Sequence, residues 1–88
     1  MNPLDELKKA IGSKNVIIGT DKTLGALKRG RAAKVFVTKN CDKLVKDEIK
    51  NLATLGNVEV SDLEITNEDL GILYKKPFLI NVICFAKE

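Results

Sequence analysis

The sequence predicts an α/β protein: a three-layer α/β/α sandwich built on a single mixed, mostly parallel four-stranded sheet. Three observations carry that expectation. Segments with helical and strand patterning alternate strictly, in the order α-β-α-β-α-β-α-β. The strand segments have apolar centres, as in sheets covered by helices on both faces. A length of 88 residues suits one domain, taken here as 1–88, with a core that needs no disulfides.

Asn2 and Pro3 open the first helix, Asn as N-cap and Pro at N1, where its missing N–H costs nothing. Asp5 and Glu6 early, then Lys8 and Lys9 late, complement the helix dipole. Leu4, Leu7 and Ile11 make its apolar stripe, and Gly12-Ser13 ends it. Val16–Ile18 reads as a short, fully buried strand. Gly19 breaks it, and Thr20 or Asp21 caps a second helix through Leu24, Leu27 and Lys28, with Gly30 as the C′ residue.

Residues 34–38, centred on Val35, Phe36 and Val37, form the next strand. Asp42 caps a third helix whose stripe is Val45, Ile49, Leu52 and Ala53. Gly56-Asn57 stops that helix, and a strand follows at 58–60. Thr66-Asn67-Glu68-Asp69 is a capping-box variant, with Asp for Glu or Gln, opening a short helix to Leu73. Lys75-Lys76-Pro77 is a loop, and 78–86 is the last strand.

Composition narrows the chemistry. The chain has no histidine. That removes Ser-His-Asp and Cys-His nucleophile pairs, His-ligated zinc and the commonest general base near neutral pH. Two cysteines, Cys41 and Cys84, cannot build a zinc site. Cys84 lies in an apolar run as a small core residue, and Cys41 is an exposed thiol without a neighbouring base. The adjacent carboxylates Asp47-Glu48 and Glu68-Asp69 point to different sides of their helices, so neither is an acid/base couple. Gly19–Thr23 matches no phosphate-loop motif. We therefore expect no enzyme, no catalytic residue, no metal and no cofactor. The charged N-terminal segment is no secretory signal, and the apolar run at 78–86, interrupted by Asn81, is too short to span a bilayer. The expectation is a soluble intracellular protein with no membrane partner.

The net charge of +3 is unevenly spread. Residues 14–39 hold seven lysines and arginines against one acid, Asp21, whereas 55–70 hold five acids and no base. Such asymmetry fits a polyanion-facing end, and fits equally well a solubilising charge pattern.

Two places stand out. In an α/β sheet, ligands bind at the carboxyl ends of strands. Those ends carry Gly19, Thr20, Asp21, Lys22 and Thr23 after strand one, and Lys39-Asn40 after strand two. The helix N-terminus there attracts anions, and Lys22 adds a mobile charge; the alternative is plain N-capping. The second place is Lys76-Pro77-Phe78, where a ring beside a basic loop can stack on an extruded base. The alternative is that Phe78 starts the last strand and packs inward. Lys28, Arg29 and Arg31 read as helix-end capping and dipole chemistry.

Taken in order, Gly19-x-x-x-Thr23, Leu27-Lys28-Arg29-Gly30, Ala33 to Val37, Asn40, Leu70-Gly71-x-Leu73 and Lys76-Pro77-Phe78 form one pattern. It resembles the kink-turn RNA-binding ribosomal proteins of archaea and eukaryotes, over almost the whole chain. Within that superfamily it is most similar to the large-subunit "thirty-e" branch rather than the "seven-a-e" branch. The resemblance implies a cytoplasmic, ribosomal protein that is a monomer when free. Its partners would be ribosomal RNA containing a kink-turn or internal loop, and neighbouring ribosomal proteins.

The implied RNA surface comprises Gly19, Thr20, Asp21, Lys22, Thr23, Asn40, Lys76, Pro77 and Phe78. The chain departs from the family pattern at Asp21, where Asn or Lys is usual, and at Gly25, where a base is usual. Two other readings stay open: a kink-turn protein of an RNA modification or processing particle, and a protein-interaction module using the acidic segment 59–69.

Overall fold

The computed structural model describes residues 3–11 and 15–87. Among these described residues four helices, α1 (Pro3–Ala10), α2 (Thr20–Lys28), α3 (Lys43–Leu55) and α4 (Asn67–Leu73), alternate with four strands, β1 (Val16–Ile18), β2 (Ala32–Val37), β3 (Glu59–Asp62) and β4 (Val82–Ala86). The expected Asn2 cap and the Gly12-Ser13 stop lie outside the described residues.

Local chemistry sets most element ends. The Asp42 carboxylate accepts from the Leu44 N–H at 2.8 Å and starts α3. Thr66 and Asp69 complete a reciprocal capping box at α4. Gly30 takes the left-handed conformation after α2, with φ 70°. After α3 the left-handed residue is Asn57 (φ 54°), not Gly56, since Asn tolerates that region through its short polar side chain. Ile11 does not complete the α1 stripe: it lies beyond the helix and is 42% exposed.

The sheet order is β1-β4-β2-β3. β4 runs antiparallel to both neighbours, and only β2 and β3 pair in parallel. The sheet is mixed, as expected, but "mostly parallel" holds only for direction: β1, β2 and β3 point one way, with β4 inserted against them. β1 is consequently an edge strand and only half-buried, not fully buried as its composition suggested.

Register explains the two cores. Ile17, Cys84, Val35 and Val60 form one row across the sheet, while Ile18, Ile83 and Phe36 belong to the next. Successive residues face opposite sides of a sheet. The first row packs beneath α2 and α3 with Ala26, Leu27, Ile49 and Ala53. The second packs beneath α1 and α4 with Leu7, Leu70 and Tyr74, and includes an edge-to-face pair of Phe36 and Phe85 at 4.9 Å. These are the helical layers of an α/β/α sandwich. The Tyr74 hydroxyl donates to the Leu7 carbonyl at 2.8 Å, tying α4 to α1.

Because β1, β2 and β3 share a direction, their carboxyl ends meet at one edge of the sheet, where the chain also enters β4. The Gly19 N–H donates to the Val82 carbonyl (3.1 Å) and the Thr38 N–H to the Asn81 carbonyl (3.0 Å). The entry to β4 is thus clamped between the exits of β1 and β2.

Candidate nucleic-acid interface

Gly19, not Thr20 or Asp21, is the N-cap of α2. Its φ of 111° and ψ of 152° lie in a region open essentially to glycine alone. The first helical hydrogen bond runs from Thr23 N–H to the Gly19 carbonyl at 3.1 Å. The N–H groups of Thr20, Asp21 and Lys22 precede that bond and have no helical acceptor, so this end of α2 presents unpaired donors. Asp21 and Lys22 are exposed and Thr20 is half-buried. Thr23 differs from its neighbours. It is fully buried and its hydroxyl has no partner among the described residues, so it supports the turn by packing.

The loop after α4 reaches the same edge. Lys75 takes φ 55°, turning the chain, and the Lys76 N–H donates back to the Gly71 carbonyl at 2.9 Å. Phe78 is 55% exposed and Leu79 58% exposed. The strand expected to begin at 78 begins at Val82, so Phe78 sits in the loop with its ring facing outward. Lys22, Lys76 and Phe78 line, with Val16, Ile17 and Ile18 of β1, a shallow groove of about 370 Å³. Pro77 and Phe78 also line a second depression of about 350 Å³ with Ile72 and Leu79.

Asn40 has protein partners of its own. Its side-chain oxygen accepts from the Asn67 N–H (2.8 Å) and its amide donates to the Asn67 side-chain oxygen (3.1 Å). The Asn67 amide in turn donates to the Asn81 side-chain oxygen at 2.9 Å. A backbone N–H can only donate, so it fixes the orientation of Asn40 and thereby of the next two amides. Asn40 thus anchors the loop after β2 to α4 while its side chain stays exposed. Asn67 and Asn81 were missed in the sequence; the lone amide at 81 within an apolar strand run was the available signal.

Charge divides in the same way. Lys34 is taken up by Glu6 at 2.7 Å and lies 5.2 Å from the Phe36 ring. Asp62 holds Lys46 at 3.1 Å and Lys50 at 3.6 Å, and the Lys46 hydrogen bond keeps its carboxyl below the ordinary range. Among the described residues, Lys22 and Lys76 have no ion-pair partner. Cys41 is half-buried rather than exposed, and burial, aided by Asp42, raises its thiol above the usual value. That is the opposite of an activated nucleophile. Burial pushes the Cys84 thiol up to about 11. No helix is long and apolar enough to cross a membrane, and no cluster of metal-binding side chains occurs, among the described residues.

Known proteins share this chain's pattern. It is 34% identical over 83 residues to the large ribosomal subunit protein eL30 of Sulfolobus acidocaldarius, covering 94% of this chain and 80% of that protein. It is 30% identical over 77 residues to eL30 of Methanothermobacter thermautotrophicus, covering 88% and 79% respectively. The fold matches a solved protein of unknown function from Bacillus halodurans C, with TM-score 0.80 and 17% identity over 93% of this chain and 81% of that one. It also matches the Giardia lamblia 15.5kD RNA binding protein, with TM-score 0.78 and 15% identity over 97% and 71%. The family model described as Ribosomal protein L7Ae/L30e/S12e/Gadd45 matches residues 1–88, and the chain belongs to that family.

Proposed function

We propose that this protein is an RNA-binding structural component of the large ribosomal subunit, acting in the cytoplasm, and that it recognises a kink-turn or internally looped RNA. The observation that carries this reading is the meeting of Lys22, Lys76 and the outward Phe78 ring in one groove at the sheet edge. The eL30 names of its relatives support the ribosomal assignment.

The proposed division of labour draws on this geometry. Gly19 lets the backbone approach the RNA, while the N–H groups of Thr20, Asp21 and Lys22 meet phosphate or base acceptors. Asp21 can accept from a base amine. Lys22 and Lys76 neutralise phosphate. Pro77 fixes the loop, and Phe78 covers an unstacked base. Thr23, buried beneath the turn, and Asn40, bonded to Asn67 at the surface, hold this region in shape. The work is binding; no step needs proton transfer, metal or cofactor.

A gel shift comparing a kink-turn RNA with a duplex of matched length at physiological salt tests the RNA reading. A shift confined to the bent RNA is expected, and equal shifts oppose it. Co-sedimentation with large subunits through high salt tests the ribosomal assignment, and absence from the subunit peak argues for another particle. Glu59 and Asp62 are drawn into pairs with Lys34, Lys46 and Lys50. That weakens the case for an acidic protein-docking face.

A further inference from the structure

A larger groove, of about 570 Å³, runs beside α2 from the Asp21-Lys22 turn to the opposite end of the helix. Its floor includes Ile17 on the β1 edge, Gly25 and Ala26; at Gly25 even an added side-chain carbon would meet nothing within 4 Å. Its far end carries Arg29, Arg31 and Lys87. The Lys87 N–H donates to the Arg31 carbonyl at 2.6 Å, holding those two residues side by side.

The expected reading of Arg29 and Arg31 is helix-end capping and dipole chemistry, yet the Gly25, Ala26 and Leu27 carbonyls of α2 are already served by backbone. Arg29 N–H reaches Gly25, Gly30 N–H reaches Leu27, and Arg31 N–H reaches Ala26, all at 2.9–3.2 Å. Among the described residues, neither guanidinium nor the Lys87 ammonium has an ion-pair partner. The helix end contributes about half a negative charge, which three cations exceed. Lys22 and Arg29 are seven residues apart, hence on one side of α2 and ~10 Å apart along it. Ile17 and Lys22 also line the groove with Lys76 and Phe78, so the two grooves adjoin there.

We infer that this groove carries the phosphodiester backbone of an RNA helix flanking the bent element, with Arg29, Arg31 and Lys87 gripping it beyond Lys22. The inference rests on the RNA-binding reading and extends its footprint along α2. An acidic polypeptide suits the groove less well, because Lys22 at its near end also lines the groove proposed to take RNA.

The test uses two kink-turn RNAs with the same bent element, one with minimal flanking stems and one with each stem lengthened by about ten base pairs. Wild type and the R29Q/R31Q/K87Q triple variant, whose substitutions are all exposed, are titrated with each RNA across a salt series. With the long RNA, the triple variant should lower the slope of log K against log salt by about 2–3, near 0.9 per lost phosphate contact. With the short RNA the two proteins should bind alike. Equal losses on both RNAs, or none on either, overturn the inference. Failure of the underlying reading shows separately, as wild type that does not distinguish the short bent RNA from a straight duplex.

Discussion

The carbonyl oxygen of Phe78 lies against the α-carbon of Gly71, in the space a side chain at position 71 would fill. Gly71 also accepts the Lys76 N–H, so one residue of α4 seats both ends of the 76–78 loop. Because the obstructing atom is backbone, it cannot yield without moving the loop. Gly71→Ala gains up to about 1 kcal/mol of helix propensity and incurs overpacking of ~1–3 kcal/mol. Net stability by urea denaturation should fall modestly. Affinity for bent RNA should fall further, roughly five- to a hundredfold, as the Phe78 ring leaves its base. Phe78→Ala should match that affinity loss with little change in stability, since its ring is exposed.

Asn40 separates an anchoring role from a base-reading one. Its side chain satisfies an N–H at the start of α4, as a capping residue does. Asn40→Ala should therefore cost about 1 kcal/mol in denaturant unfolding without any RNA present. Unchanged stability with weakened RNA binding would return Asn40 to the direct-contact set.

The Tyr74 hydroxyl is the partner of the buried Leu7 carbonyl. Tyr74→Phe keeps the ring and removes the donor, leaving the carbonyl unsatisfied at a cost of ~1–3 kcal/mol. The midpoint of urea unfolding should shift down with no change in slope. RNA binding should be untouched, because this contact lies between α1 and α4.

Stability should fall at both ends of the pH range. The Asp62 carboxyl is lower in the folded state, chiefly through its Lys46 hydrogen bond. Its contribution is present above the unfolded value near 4 and is lost as pH falls through the lowered folded value. With half its side chain exposed that contribution is small, and Asp62→Asn should flatten the acid limb of a Tm–pH curve slightly. On the alkaline side, burial raises Cys84 to about 11 and also raises Tyr74. Both contributions are full below the unfolded values and drain as pH rises through the folded ones. Tyr74→Phe should remove part of the alkaline loss.

The element order was legible because caps and breakers act locally: Asp42, the Thr66–Asp69 box and Gly30 mark their boundaries from within a few residues. Strand direction was not. An apolar strand such as β4 looks the same whether it runs with or against its neighbours, and its antiparallel insertion depends on the whole sheet. Gly19, Lys22, Lys76 and Phe78 could be singled out because backbone freedom, charge and an aromatic ring beside proline are visible in sequence. The Asn40–Asn67–Asn81 chain could not, since its members are far apart in sequence and an amide does not announce its partner. Thr23 was misjudged for a related reason: helix phase, not residue type, turned it inward.

In the proposed function the groove of Lys22, Lys76 and Phe78 selects bent RNA. The most direct measurement is the ratio of Kd for a straight duplex to Kd for a kink-turn RNA, at one physiological salt, for wild type and Phe78→Ala. Wild type should favour the bent RNA by about a hundredfold or more, within the reach of specific nucleic-acid recognition. Phe78→Ala should cut that ratio by the stacking contribution of ~1–3 kcal/mol. A wild-type ratio near one, or a ratio indifferent to Phe78, would contradict the claim.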